Sequence, residues 1–408
     1  MGAAEPAADH PAGERLTLLP VAEAQAWLLA SAEPVATERV LLTQAAGRWA
    51  AEDVRALRTQ PAAALSAMDG YAIRFADLPG PLTVVGESAA GRPFAGRVGP
   101  GEAARIFTGA AMPDGADSVL IQEEAARDGA GLVLTGDGPR ALGGNTRPRG
   151  LDFHSGYLLV PAGARLTPAR VALTAIGGYG TLTVRRPVRV AIAATGDELV
   201  APGSSDSADK LPESNGVMLA ALLADLPVEL IDLGILPDDL AVMRDAFAGV
   251  RADLLVTTGG ASVGDHDLVR PALEEAGGSV DFWRVALRPG KPMMAGRLGA
   301  AVVLGLPGNP VSAFVTALLF VRPVIARLAG AADPLPRTTT ALLGEDLPTN
   351  GERADYLRAE QRDGRVWTST VQDSSMLLTL ARSTCLIVRP PHAPPARAGD
   401  SAEILDLC

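Results

Sequence analysis

The stretch from residue 188 to residue 330 decides the fold, because it alternates apolar runs with segments of helical spacing. The apolar runs, each leading into a polar loop, are RVAIAATGDEL (189–199), VELIDLGIL (228–236), ADLLVTTGGASVGD (252–265) and AAVVLGLPGNP (300–310). Helical spacing follows in ESNGVMLAALLADL (213–226), PDDLAVMRDAFAGV (237–250), DLVRPALEEAG (267–277) and VSAFVTALLFVRPVIARLAG (311–330). Strands that alternate with helices of about 10–15 residues are typical of βαβ units. The stretch therefore predicts an α/β domain built on a parallel sheet.

The sequence on either side of this stretch has a different texture. Residues 1–14 are rich in Ala, Pro and Gly and are predicted to be disordered. The segments VAEAQAWLLASA (21–32) and LTPARVALTAIGGYG (166–180) have helical spacing. Between residues 61 and 139, and again after residue 330, short β-like runs alternate with Gly, Pro and Asp turns. These two regions predict small all-β domains.

Composition limits the classes of function. The chain has 408 residues, which at about 150 residues per domain predicts roughly two to three domains. Its 2 cysteines, Cys385 and Cys408, and its 4 histidines argue against a disulfide scaffold and against a Cys- or His-rich metal centre. The net charge of −11 argues against nucleic-acid binding. Since there is no apolar run of about 20 residues and no signal-like N-terminus, we expect a cytoplasmic protein without a membrane segment.

The loops that follow the apolar runs are the candidate ligand site. Ligands of an open α/β sheet bind beyond the carboxyl ends of its strands. We therefore expect three loops to lie along one edge of the sheet: residues 194–198, 257–267 and 306–312. Gly259, Gly260, Ser262 and Gly264 allow the backbone to approach a phosphate at the start of a helix, and Ser312 is a further phosphate donor. The spacing matches neither a Walker A loop nor GxGxxG, and ordinary strand-to-helix turns are the alternative.

Acidic residues end two of these loops. Glu198 and Asp267 come from different loops and are predicted to bind Mg²⁺, which takes one or two protein carboxylates and keeps several waters. Further candidates are Asp197, Asp238 and Asp265. The alternative is that acids at helix N-termini complement the helix dipole, and we favour this alternative for Asp238 and Asp239.

Three shorter motifs carry charged residues on turns: SAMDGYAI (66–73), RPRGLDFHSG (147–156) and LRPGKP (287–292). The first two contain Asp69 and Asp152, and taken singly they are typical of ordinary turns. The third places Arg288 and Lys291 on a loop bent by Pro and Gly, which predicts an anion site, with a solvated basic turn as the alternative. Lys291 is one of only 2 lysines among 36 basic residues, so its presence in this loop needs a reason.

These motifs, with FTGAAMPDGADSVLIQEE (107–124), LGILPDD (233–239) and WRVALRPGKP (283–292), resemble in their order the molybdopterin molybdenumtransferase family. That family includes the bacterial molybdenum-insertion enzyme and the C-terminal domain of gephyrin. The resemblance runs from about Leu16 to the end of the chain. It implies a multidomain fold of α/β plus all-β parts: an extended helical segment (15–55 and 140–185), an inserted β domain (56–139), an α/β domain of the molybdopterin-binding type (186–330) and a C-terminal β barrel (331–408).

The resemblance also implies a reaction and roles for residues. The implied enzyme converts adenylylated molybdopterin and molybdate, with Mg²⁺, to molybdenum cofactor and AMP. The implied catalytic carboxylates are Asp69, Asp152, Glu198 and Asp267, of which Glu198 and Asp267 would bind the metal. The implied contacts to molybdopterin and nucleotide are Thr195, Gly196, Gly259, Gly260, Ser262, Gly264, Pro307, Gly308, Asn309 and Ser312. The implied molybdate pocket comprises Arg288, Lys291, Pro292, Ser374 and either Arg353 or Arg358.

Finally, the resemblance implies a homodimer with a shared active site, and molybdopterin adenylyltransferase and apo-molybdoenzymes as partners. The sequence departs from the family pattern at three positions. Arg284 and Arg288 replace lysines, and Arg is not equivalent to Lys at an anion site. Ser375 replaces a histidine after Ser374. Two alternative functions are a molybdopterin adenylyltransferase, which is typically a single small domain, and a non-catalytic scaffold like part of gephyrin.

Overall fold

The computed structural model describes residues 18–204, 208–260, 267–290 and 292–407. Within these ranges the α/β domain has a mixed sheet with strands in the spatial order Val228–Leu236, Val188–Thr195, Leu254–Thr258, Ala301–Leu306, Pro292–Leu298 and Gly278–Arg284. The first four strands are parallel, and Pro292–Leu298 runs antiparallel to both of its neighbours, Ala301–Leu306 and Gly278–Arg284. The predicted parallel pairing is therefore confirmed for four strands, and Pro292–Leu298 makes the sheet mixed. Only residues 299–300 separate this strand from Ala301–Leu306, and so short a connection makes a hairpin.

Helices cover both faces of this sheet. They are Asn215–Leu223, Leu240–Ala248, Val269–Glu275, Pro310–Thr316 and Arg322–Leu328, the last two joined by a π-helical turn at Ala317–Val321. Successive side chains of a strand point to opposite faces, so each strand contributes to two cores. Val190 and Ile192 pack with Val311 in one core, whereas Ala191 packs with Phe247 in the other.

The helical run from Pro310 to Leu328 is long and apolar enough to cross a membrane by length and composition, but most of it is buried inside the protein. It is therefore packed as a core helix of this fold. Pro323 lies in the run and has no N–H, so the Leu319 carbonyl lacks its usual donor four residues on. The π-helical turn spans this point, and Gln25 Nε2 donates to the Leu319 carbonyl at 2.9 Å. This bond ties the N-terminal helix to the α/β domain.

The extended segment combines two helices with pairs of short strands. The helices are Val21–Ser31 and Pro168–Ile176. Thr167 caps the second helix by accepting from the Arg170 N–H, and Pro168 follows at the first helical position. The paired strands are Thr37–Leu41 with Thr181–Arg185 and Val54–Arg55 with Leu158–Val160.

The inserted domain is all-β, as predicted. Its sheet has the spatial order Ser118–Ile121, Gly70–Ile73, Glu102–Ile106, Leu82–Ser88, Gly131–Leu134 and Ala125–Asp128. The chain enters this domain near Leu65–Ser66 and leaves it near Thr146–Arg147, and these two short strands pair with each other. Tyr71, Ile73 and Leu120 are among the buried side chains of its core.

The C-terminal region forms the predicted β barrel. Its strands are Thr339–Leu343, Ala354–Arg362, Arg365–Thr368, Cys385–Arg389 and Ser401–Asp406, with one helix at Leu377–Arg382. The sheet closes because the second strand pairs with both the third and the fourth. The two-residue strand Leu287–Arg288 of the α/β domain adds to the barrel in parallel, with Arg288 opposite Asp355. This pairing fixes the barrel beside the ligand edge of the α/β sheet.

Candidate active site

A cavity of about 1020 Å³ is lined jointly by the carboxyl edge of the α/β sheet and by the barrel. All three predicted loops contribute to its wall, so the prediction that they share one edge is confirmed. The predicted site residues that line it are Thr195, Glu198, Gly259, Gly260, Arg288, Pro292, Pro307, Gly308, Asn309, Ser312, Arg353 and Ser374. Other residues that were not among the predicted site residues also line it, among them Asn215, Gln372 and Asp373.

Glycine is required where the loops approach each other most closely. Gly259 has φ +89°, and a Cβ there would lie 2.7 Å from the Thr195 carbonyl oxygen. Gly260 has φ +63°, and a Cβ there would lie 2.1 Å from Val269 Cγ2. The Gly259 N–H donates to the Leu306 carbonyl at 3.2 Å, which joins two loops. The result is a concave surface of backbone, the kind of surface that accepts a phosphate.

Glu198 and Asp267 approach this surface from different loops. Glu198 lines the cavity, and its backbone carbonyl accepts from the Leu211 N–H at 2.8 Å. Asp267 Oδ1 accepts from the Val269 N–H at 3.1 Å and lies 3.0 Å from the place that a Cβ on Gly260 would take. Asp267 therefore caps local backbone and also stands beside the glycine surface. Gly196, with φ +141°, lies next to the Glu198 carboxylate.

The donor set at this edge suits Mg²⁺. Two carboxylates beside a large cavity leave room for the waters and substrate oxygens that this ion prefers. Within the described ranges, no group of three or more His, Cys, Asp and Glu side chains could hold a metal ion.

The neighbouring acids have structural partners. Asp239 caps the helix Leu240–Ala248, because its Oδ1 accepts from the N–H groups of Ala241 and Val242 at 2.9 and 3.0 Å. The helix-capping interpretation of Asp239 is thus confirmed. Asp197 and Asp238 each accept from the backbone N–H of the other, at 3.1 and 3.4 Å. These bonds fix the loop that carries Glu198.

The barrel is connected to the Pro–Gly–Asn loop by hydrogen bonds at the cavity wall. Asn309 Nδ2 donates to Ser374 Oγ at 3.0 Å, and the Val311 N–H donates to the Ser374 carbonyl at 3.1 Å. On the other side, Asn215 Nδ2 donates to the Gly308 carbonyl at 2.8 Å. The polar triplet Glu-Ser-Asn before a helix was the available signal for Asn215, whereas the sequence offered no signal for Gln372.

Two arginines give the cavity positive charge. Arg288 comes from the α/β domain and Arg353 from the barrel, and both line the cavity. Behind Arg288, the buried Asp355 carboxylate accepts from its Nη2. Burial raises the pKa of Asp355, and the charge and hydrogen bond of Arg288 only partly offset that effect. By contrast, hydrogen bonds from the Ser375 hydroxyl and N–H hold the pKa of Asp373 below its ordinary value.

Arg358, the alternative to Arg353, is not in the cavity wall. Its side chain is buried, with the residue only 1% exposed. Nη1 donates to the Asp373 carbonyl at 2.7 Å and Nε donates to Gln372 Oε1 at 3.3 Å. Arg358 therefore holds the loop that carries Ser374, and of the two arginines it is Arg353 that faces the cavity. The sequence could not decide between Arg353 and Arg358 because both lie in one motif, GERADYLR (351–358).

Asp69 and Asp152 lie elsewhere in the molecule. Asp69 Oδ1 accepts from the N–H and the hydroxyl of Thr108 at 2.7 and 2.8 Å, and these bonds lower the pKa of Asp69. Asp152 has an exposed side chain, and its N–H donates to the Gln60 carbonyl at 3.0 Å. Of the described residues that line the cavity, none comes from the inserted domain or from the motif around Asp152.

Some predicted site residues fall outside the described ranges. These are Ser262, Gly264 and Lys291, together with Asp265. Their proposed roles stay predictions.

The fold belongs to a class of proteins that contain a molybdopterin-binding type of domain, as the family matches show. Three family profiles match in succession: "MoeA N-terminal region (domain I and II)" over residues 19–178, "Probable molybdopterin binding domain" over 191–327, and "MoeA C-terminal region (domain IV)" over 340–407. Together they span most of the chain and fall on its successive structural parts. The cavity is lined by residues from the second and third of these matches.

Individual relatives narrow this class. Proteins called molybdopterin molybdenumtransferase match from Haemophilus influenzae at 37% identity, covering 91% of this chain and 94% of the relative, and from Bacillus subtilis at 31%, covering 96% and 95%. A crystal structure of a molybdopterin biosynthesis MoeA protein from Pyrococcus horikoshii superposes with a TM-score of 0.83 at 28% identity, covering 96% of this chain and 100% of that chain. The chain belongs to the molybdopterin molybdenumtransferase family. The predicted family, the multidomain fold and the prediction of a transferase of molybdenum cofactor biosynthesis are confirmed.

Proposed function

We propose that the cavity binds adenylylated molybdopterin together with molybdate, and that the chain transfers molybdenum to the pterin dithiolene with release of AMP. One observation carries this proposal: a glycine-backed surface for phosphate and two arginines share one cavity. The two features correspond to the two anionic parts of the reaction, the pyrophosphate of the adenylylated pterin and the molybdate oxyanion. The names of the relatives support molybdopterin and molybdate as substrates.

The phosphate side is formed by backbone and hydroxyl groups. Gly259, Gly260 and Gly308 line the cavity, and at Gly308 only Gly259 Cα lies within 4 Å of the place of a Cβ, which leaves the main chain open to a substrate. Ser312 lies in the first turn of the helical run that begins at Pro310, where the helix dipole favours an anion. Thr195, whose hydroxyl donates to the Thr258 carbonyl at 3.3 Å, closes the floor of this side.

Glu198 and Asp267 are the residues that would hold Mg²⁺. When bound, the ion supplies positive charge that stabilises the phosphates as the anhydride is cleaved. Without a cation, these two carboxylates would repel the substrate phosphates, so binding and turnover should depend on Mg²⁺.

The molybdate side is formed by Arg288, Arg353, Ser374 and Pro292, with Lys291 as a further predicted contact. Guanidinium groups match the geometry of an oxyanion and stay charged at any physiological pH. In the balanced reaction, water cleaves the phosphoanhydride to give AMP, and oxo groups of molybdate leave as water as the dithiolene sulfurs bond to molybdenum. The side chains of the cavity bind and orient both substrates. The bonds that form are those between the dithiolene sulfurs and molybdenum.

The positions of Asp69 and Asp152 support a homodimer as part of the proposal. Both lie away from the cavity of their own chain, so a second chain would have to bring them to it. In the cell we place this dimer in the cytoplasm, supplied by a molybdopterin adenylyltransferase and delivering cofactor to apo-molybdoenzymes.

The direct test uses the purified chain, adenylylated molybdopterin and Mg²⁺, with AMP measured in the presence and absence of molybdate. We expect AMP release to be faster with molybdate and to be accompanied by molybdenum cofactor. Adenylyl transfer from ATP to molybdopterin, without molybdate-dependent AMP release, would instead identify an adenylyltransferase. Binding of the substrate without either reaction would identify a scaffold.

A further inference from the structure

Asp355 is a buried charged residue that the proposed reaction does not use. It lies at the start of the barrel strand Ala354–Arg362 and is 4% exposed. Parallel pairing sets it opposite Arg288, and the Ala354 N–H donates to the Ala286 carbonyl at 2.8 Å. The Asp355 carboxylate accepts from Arg288 Nη2, while the Arg288 side chain is 57% exposed and lines the cavity.

The stability of the fold does not explain this carboxylate. Its pKa is raised by burial, although the charges of Arg288, Arg353 and Arg389 act to lower it. Ionised Asp355 is therefore in an environment that is less favourable than water despite the ion pair. A buried ion pair is often no more stabilising than neutral residues of the same volume. The benefit has to lie in what the carboxylate does to Arg288.

We propose that Asp355 is a positioning residue that holds the Arg288 guanidinium in one orientation at the cavity wall, so that Arg288 and Arg353 form a fixed pair of cations for a tetrahedral oxyanion. The inference rests on the proposed function, in which that oxyanion is molybdate. An unrestrained arginine loses side-chain entropy when it binds a ligand, and the buried carboxylate has already removed much of that freedom. A guanidinium has five N–H donors, so the bond to Asp355 leaves donors for the anion.

Charge alone and positioning predict effects of opposite sign. If Asp355 acted only through its negative charge, removing it would strengthen the binding of an anion nearby. If Asp355 positions Arg288, removing the carboxylate should weaken anion binding even though the cavity becomes more positive. The direction of the change in anion affinity therefore separates the two roles. If Asp355 served only to support the fold, its removal would leave the affinity for the anion unchanged.

The experiment compares full-length wild type, Asp355→Asn, Arg288→Ala and the double variant, following AMP release at saturating adenylylated molybdopterin over a range of molybdate concentrations. We expect Asp355→Asn to raise the half-saturating molybdate concentration by roughly tenfold, as for loss of a bond to a charged group, with a much smaller change in the maximal rate. In the Arg288→Ala background the same substitution should add nothing, because the residue acts through Arg288. Asp355→Glu, which keeps the charge, should recover part of the loss.

The outcomes separate this inference from the proposed function. If Arg288→Ala leaves the molybdate dependence unchanged, the cavity is not the molybdate site and the proposed function fails. If Arg288→Ala weakens molybdate binding but Asp355→Asn leaves it unchanged or strengthens it, only the positioning role is wrong. Thermal unfolding of each variant checks the fold, and Asp355→Ser replaces the amide variant if that variant does not fold.

Discussion

Gly260 illustrates how one residue sets the shape of the candidate site. Its φ of +63° favours glycine, and a side chain would also meet Val269 at 2.1 Å. Gly277, at the end of the following helix, has φ +87° but nothing within 4 Å of the place a Cβ would take. The two positions share the backbone requirement and differ in the space around them.

We therefore expect Gly260→Ala to reduce the free energy of unfolding by clearly more than Gly277→Ala. Both variants incur the cost of a positive φ, about 1 kcal/mol or more, but only Gly260→Ala adds an overlap with packed atoms. Urea unfolding of the two variants measures this difference, and AMP release should fall only in Gly260→Ala. Equal stabilities would mean that the loop adapts to a side chain and that the glycine is not required by space.

Glu198 and Asp267 allow a test of the metal. Changing Glu198→Gln or Asp267→Asn should raise the Mg²⁺ concentration needed for half-maximal AMP release, because each removes one anionic ligand from the ion. A matched control is Asp239→Asn, which should leave the Mg²⁺ requirement unchanged. The Asp239 side chain caps a helix through its oxygen and is not a predicted metal ligand. An unchanged Mg²⁺ requirement in both test variants would favour the helix-capping interpretation of these acids.

The raised pKa of Asp355 predicts how stability changes with pH. On folding, the pKa of Asp355 rises above the ordinary value of 3.8. At pH values between 3.8 and the raised pKa, the folded chain therefore retains a proton that the unfolded chain has lost. The contribution of Asp355 to stability therefore falls as pH increases from below 3.8 through the raised pKa. Relative to wild type, Asp355→Asn should gain stability across that window and then level off.

Urea unfolding at a series of pH values measures this trend, with Asp373→Asn as the control of opposite sign. The pKa of Asp373 is lowered on folding, so ionised Asp373 stabilises the fold above the ordinary pKa, and that contribution is lost as pH falls through the lowered pKa. Asp373→Asn should therefore lose stability relative to wild type as pH rises. Parallel trends in the two variants would contradict the assignment.

At the scale of elements, the loop between the barrel strand ending at Thr368 and the helix beginning at Leu377 carries part of the cavity wall. It has little regular structure and is held by buried Arg358, which bonds to the carbonyls of Asp373 and Val371 and to the Gln372 side chain. Arg353, in contrast, is on the cavity side. One short motif thus supplies one arginine to the cavity and another to the support of the loop.

This division predicts different consequences for the same substitution. Arg358→Met should lower the free energy of unfolding by about 2–3 kcal/mol and weaken molybdate binding indirectly, because buried acceptors lose a charged donor. Arg353→Met should leave stability nearly unchanged and weaken molybdate binding directly. Chemical unfolding together with molybdate titrations of AMP release distinguishes the two, and a stability loss confined to Arg353→Met would reverse the roles of the two arginines.

At the scale of the whole molecule, the shared site is the main expectation still to be tested. Asp69 and Asp152 lie outside the cavity of their own chain, while Glu198 lines it. Mixing Asp69→Asn chains with Glu198→Gln chains should restore activity, because each heterodimer would contain one site with both native residues. The measurement is AMP release by purified, differently tagged heterodimers. Heterodimers that form but remain as inactive as either parent would show that Asp69 and Glu198 do not act in a common site.

The domain types, the ligand edge and part of the cavity lining could be predicted from the amino-acid sequence. Periodicity identified strands and helices in the region from 188 to 330, and parallel strands necessarily bring their carboxyl ends together. Glycine, proline and charged residues in the three loops pointed to the cavity because those residue types meet backbone and electrostatic requirements that are local in sequence.

Other features depend on contacts between distant segments, which exist only in the folded chain. The reversed direction of Pro292–Leu298 follows from its hairpin with Ala301–Leu306 and not from its own composition. The choice of Arg353 over Arg358 for the cavity, and the contact between Asp355 and Arg288, depend on how the barrel docks on the α/β domain. Burial raises the pKa of Asp355 only once that docking has excluded water from it. A local pattern carries no record of such burial, because desolvation is a property of the packed neighbours and not of the residue.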